Sequence, residues 1–125
     1  MAFEEILQSL SMEAAADLKA DQYRFVTISG NKTVARVATA GVRALGVNQG
    51  NTEQVGQAVQ VGIAGVSKIE AGGTVNPAAN FLVTTDDQGR AVPATTAGHQ
   101  VLGYAITGGA VGELISVFLC PAGVV

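Results

Sequence analysis

The 125-residue chain has no tryptophan, one cysteine, one histidine and three prolines, and aromatic residues make up only 5% of it. The single Cys120 permits no internal disulfide, and between Leu119 and Pro121 it reads as a buried structural thiol. The single His99 has no Cys or His companion, which excludes a zinc site of the usual ligands; following Gly98 it reads as a turn residue. Charge is scarce too, at 14% of residues where a soluble domain carries about 25%. The 7 Lys+Arg are scattered among 10 Asp+Glu, for a net charge of −3, so the basic patch of a nucleic-acid binder is missing. The longest apolar run, Leu114 to Val125, is interrupted by Ser116 and Pro121 and falls short of the roughly 20 residues of a membrane-spanning helix. No membrane partner is expected. Glu4 and Glu5 stand where a secretory signal would carry Lys or Arg, which implies a chain made in a cytosol.

What is present is small and apolar. Hydrophobic residues supply 48% of the chain and glycine 16 residues, which excludes a disordered polymer and gives a single domain's core of short aliphatic side chains between many turns. The fold class this implies is all-β. Strand-like runs extend over Tyr23 to Ile28, Thr33 to Ala38, Ala44 to Asn48, Ala58 to Ile63, Phe81 to Thr85, Arg90 to Ala94, Val101 to Thr107 and Glu113 to Cys120, with glycines in nearly every gap. The first ten residues differ. Phe3, Ile6, Leu7 and Leu10 fall at i, i+3, i+4 and i+7, the spacing of one helical face, and predict a short helix. A helix of that length is marginal unsupported, so it docks on its own domain or reaches out as an arm. Residues 1–20 are therefore read as an N-terminal arm and 21–125 as one β-domain.

Sliding the chain against itself exposes an internal repeat. Thr39-Ala40-Gly41 with Leu45-Gly46 recurs 57 residues later as Thr96-Ala97-Gly98 with Leu102-Gly103, and Val26-Thr27 recurs as Val83-Thr84. After one deletion, Gly56-Gln57-Ala58-Val59 aligns with Gly112-Glu113-Leu114-Ile115. Two similar β-units, about 25–61 and 82–117, are expected to pack into a small barrel or sandwich, related by an approximate two-fold axis.

Chemistry-bearing patterns do not survive inspection. Asp86 and Asp87 lack the alternating acidic positions of a calcium loop and fit the hairpin turn Asp86-Asp87-Gln88-Gly89. Ser29 and Lys32 match a Ser-x-x-Lys nucleophile by letter, but Gly30 and Asn31 between them make a β-turn. Gly62-Ile63-Ala64-Gly65 is followed by strand-like residues where a phosphate cradle needs a helix. The expectation is a protein without catalytic, cofactor or metal residues that works by structure or binding.

Several stretches in order carry a family resemblance: Ala16-Asp17-Leu18 with Gln22-Tyr23-Arg24-Phe25-Val26, Leu45-Gly46-Val47, Val61 to Val66 with Ser67-Lys68, Thr84-Thr85-Asp86 with Gly89-Arg90-Ala91-Val92-Pro93, and Leu102-Gly103-Tyr104-Ala105. From about Ala16 to Leu119 the chain resembles the capsid decoration, or cement, proteins of tailed bacteriophages. The resemblance implies a small all-β subunit, often trimeric, that binds the outside of the phage head and fastens neighbouring major capsid protein subunits. A low-charge, apolar composition suits a lasting interface. Phe3, Ile6, Leu7, Leu10 and Met12 are the residues expected to contact the capsid or a neighbouring subunit. Two other classes fit the same composition: another virion β-protein, such as a tail-tube or head-fibre subunit, and a small-ligand-binding β-barrel using the space between its two halves.

Overall fold

The computed structural model describes residues 2–125. It contains nine strands: β1 (Glu5–Ala14), β2 (Phe25–Gly30), β3 (Thr33–Arg36), β4 (Gly46–Asn48), β5 (Ala58–Glu70), β6 (Leu82–Thr85), β7 (Ala91–Pro93), β8 (Gly103–Ala105) and β9 (Leu114–Leu119). The all-β class holds, and a strand lies within or across each of the eight runs read from the sequence.

The expected N-terminal helix is replaced by β1. This strand runs antiparallel to β5 from Glu5↔Val66 to Glu13↔Ala58 and also pairs in parallel with β3 at Glu13↔Thr33 and Ala14↔Val34. The reason is physical: a helix of ten residues gains little alone, whereas the free edge of β5 offers every backbone group in the segment a partner. Register shifts on either side of Gln8 break the two-residue alternation, and this break is what mimics helical spacing. Beyond it the alternation is regular, with Leu10, Met12 and Ala14 turned inward and Ser9, Ser11 and Glu13 outward.

The sheet closes on itself twice. Strands β1, β3, β2, β4 and β5 are neighbours in that order, and the β1–β5 pairing completes a five-stranded barrel, barrel 1. From Gly65 to Glu70 the same β5 pairs with β9, which leads through β8 and β6 to β7. A parallel bridge, Ala71↔Ala91, returns β7 to the end of β5 and closes barrel 2. The long β5 thus belongs to both barrels. Gly65, at φ +97°, lies where it passes from one to the other, and a side chain there would strike the Glu5 carbonyl of β1.

The registers of the two barrels coincide. Phe25↔Val47 and Val26↔Gly46 in barrel 1 are matched by Leu82↔Tyr104 and Val83↔Gly103 in barrel 2, and Val26↔Arg36 by Val83↔Pro93. The correspondence includes β1, because Glu13↔Ala58 is matched by Glu70↔Leu114, and the parallel bridge Ala14↔Val34 by Ala71↔Ala91. Each unit is therefore a five-stranded barrel whose first strand, β1 or the end of β5, precedes its hairpin. Their interiors agree position by position. Ala14, Leu18, Val26, Val34, Val59 and Val61 fill barrel 1, and Ala71, Val75, Val83, Ala91, Ile115 and Val117 fill barrel 2.

Strand order and direction are shared by the two units, but the contact between them is not the reciprocal one of a two-fold axis. Val37, Phe25 and Val47, on the outside of barrel 1, join the core cluster that fills barrel 2. Backbone bonds seal this junction: Phe25 N–H donates to the Gly89 carbonyl (2.7 Å), Gly41 N–H to Thr85 (3.0 Å) and Gln100 N–H to Gly41 (3.0 Å). A partly buried chain of charges runs over it, from Asp21 to Arg24 (3.7 Å), Arg24 to Glu70 (3.3 Å), Glu70 to Arg90 (3.8 Å) and Arg90 to Asp86 (2.9 Å).

Candidate functional site

The five residues singled out at the N-terminus divide between two environments. Leu10 and Met12 are half-buried, and Met12 packs on the core of barrel 1. Ile6 is half-buried over Gly62, which leaves it space. Leu7, at the register shift, is 80% exposed. Phe3 leaves β1 behind and ties to barrel 2: its N–H donates to Ser116 Oγ (2.5 Å), which donates in turn to the Phe3 carbonyl (2.8 Å). Only Phe3 and Leu7 are therefore free to offer a large apolar group outward.

A larger apolar surface, not singled out from the sequence, lies on the outside of barrel 2. Leu82 pairs with Tyr104 and Tyr104 with Phe118 across β6, β8 and β9, so these three side chains stand in one row. Phe81 meets the Tyr104 ring edge-on at 5.4 Å between centroids, and the Tyr104 and Phe118 rings are 6.4 Å apart. Phe81 is 50% exposed and Phe118 38%. Leu114 and Ile106 are exposed as well, and Phe3 sits over Ser116 between Leu114 and Phe118. Four of the chain's six aromatic residues thus gather on one face of one barrel, where solvent offers them no partner. The alternation of β9 shows which residues face outward; whether that face is covered depends on how the barrels meet, which no local pattern carries.

The remaining hollows are of a different kind. The crevice between the barrels, among Phe25, Leu45, Leu102 and Leu119, holds about 20 Å³, less than the roughly 30 Å³ share of one water. It gives no room for the ligand that a binding barrel would place between its halves. An open groove of about 270 Å³ is lined by Thr27, Ile28, Arg43, Ala44 and Leu45 at the exposed end of barrel 1, and a polar hollow of about 480 Å³ lies along the loop from Gly50 to Gln57. Asp86 is engaged within its own turn. One carboxylate oxygen accepts the N–H groups of Gln88 (2.9 Å) and Arg90 (2.8 Å), and the other pairs with the Arg90 guanidinium (2.9 Å).

No protein-family model matches the chain, and no curated protein sequence matches it either. Among solved structures it is similar to the N base of head fiber gp8.5 in bacteriophage phi29, with a TM-score of 0.71 over 93% of this chain and 96% of that one, at 20% sequence identity. The likeness is one of fold, and it spans both barrels.

Proposed function

We propose that the chain is a structural protein of a tailed-phage virion that sits on the outer surface of the head, binds the major capsid protein and stabilises contacts between its subunits, and associates with copies of itself, most simply as a trimer. The observation that supports this best is the fold shared with a phage head-fibre base over almost the whole of both chains. The ordered motifs from Ala16 to Leu119 support it independently, as does an exposed surface made of aromatic and aliphatic side chains. Such a surface suits a lasting protein contact, where apolar burial supplies the attraction and few charges must be desolvated. In this reading Leu7 and Phe3 reach the capsid, and Ile6, Leu10 and Met12 hold β1 in place beneath them.

The same likeness favours a second version, in which the chain is the base of a head fibre and carries a projecting part. Both versions are tested together by adding purified protein to heads lacking it and imaging them by electron microscopy. Density on the outer surface bridging capsid subunits supports the cement role, and a protruding stalk on that density supports the fibre base. Absence of binding, or density on the tail, refutes the proposal.

A further inference from the structure

Within the chain the barrels meet through unlike surfaces. The outer row of barrel 1, Val37–Phe25–Val47, presses on the end of barrel 2 formed around Thr85, Gly89 and Leu102. Each surface has an equivalent in the other barrel, and both equivalents are open. The row on barrel 2, Leu82–Tyr104–Phe118 with Phe81 beside it, has nothing pressed on it from a second barrel. At the end of barrel 1, Ile28 occupies the position of Thr85, and it is 58% exposed where Thr85 is fully buried. Gly41 is packed against the His99 ring at the internal junction, while its counterpart Gly98 faces open space. A contact between unlike surfaces that is used once leaves one of each kind unused.

We propose that these two free surfaces join successive copies of the chain: the aromatic row on barrel 2 of one copy covers the Ile28 groove at the end of barrel 1 of the next, repeating between molecules the junction already made within one. The occupant is a second copy because the groove is the counterpart of a surface that receives such a row internally. The chemistry agrees, since the groove is apolar apart from Arg43, whose guanidinium suits an aromatic face. Head-to-tail contacts of this kind close into rings when the rotation per copy allows it. The inference rests on the self-association in the reading above and is independent of what the protein binds on the head.

Two substitutions at exposed positions test it, Phe81→Asp and Ile28→Asp, with light scattering to weigh the particles and a thermal melt to verify folding. The wild type is expected to exceed the 12.6 kDa of one subunit at micromolar concentration, and each variant alone to be monomeric with an unchanged melt. Mixed in equal amounts, the variants should form a complex of two subunits, because each retains the surface the other has lost. Phe81→Ser and Ile28→Ser replace any variant that fails to fold. A monomeric wild type overturns both this proposal and the self-association it rests on. An oligomer that survives either substitution, or two monomeric variants that do not complement each other, overturns the interface alone. So do monomer-preserving variants of a monomeric protein that lose head binding, which would make the row a capsid contact.

Discussion

Replacing Phe25 by Ala tests the junction between the barrels most directly. The ring is 1% exposed and belongs to the core cluster that contains Ile69, Ile115 and Val117 of barrel 2. Its strand is held on both sides, by Val37 N–H donating to its carbonyl and by the Phe25↔Val47 pairing, so the backbone has little freedom to close the void. Phe→Ala in such a site costs about 3–5 kcal/mol, a large share of the roughly 5–15 kcal/mol that holds a domain together. For a chain of this size about 3–4 °C are lost per kcal/mol, so Tm should fall by about 10–15 °C. The equivalent Leu82→Ala removes a half-buried side chain and should cost about 1 kcal/mol or less. Both are read by circular dichroism during heating and in urea, at concentrations low enough for the protein to be monomeric. Equal losses at the two positions would refute the unequal roles assigned to the two outer rows. Two separate transitions in Phe25→Ala would refute a single core shared through β5.

Gly65→Val should be severe, since a β-branched residue at φ +97° would strike the Glu5 carbonyl; hydrogen exchange should show β1 released first, with a stability loss above about 2 kcal/mol. Asp86→Ala removes the acceptor for two N–H groups and the Arg90 guanidinium and should cost about 1–3 kcal/mol in urea unfolding. Leu7→Ser changes a side chain that is 80% exposed, so the free protein should melt within about 0.5 kcal/mol of wild type while retention on heads falls; unchanged retention would remove Leu7 from the contact. Ser116→Ala should leave the barrels intact and abolish the exchange protection of the Phe3 amide, which Ser116 Oγ accepts.

Much of the fold is legible in the chain because its turns are written in glycine and its strands in β-branched residues. Lys32, Gly89, Gly41 and Gly98 all have positive φ and bound the runs that become strands β2 to β4 and β6 to β8. The two misreadings have local causes. At β1 the register shift around Gln8 hid the alternation Leu10, Met12, Ala14, which was the signal available. In β5 the run was ended at Ile63, because Gly62, Gly65 and Lys68 interrupt it; the strand continues to Glu70 because β9 supplies partners that adjacent residues do not announce. The apolar row on barrel 2 was illegible for a related reason. Tyr104 and Val47 occupy equivalent strand positions, and only the placement of one barrel on the other makes Val47 core and Tyr104 surface.

The sharing of β5 also has a mechanical consequence. Hydrogen bonds in an antiparallel ladder lie across the strands, so tension drawn along β5 from one barrel to the other acts on them in shear. The six register pairs from Gly65↔Leu119 to Glu70↔Leu114 would carry that load together, whereas a hinge between separate domains would stretch a linker and then peel its ladders one bond at a time. A body built this way transmits a pull as a stiff rod does, with both barrels yielding at the same force or not at all.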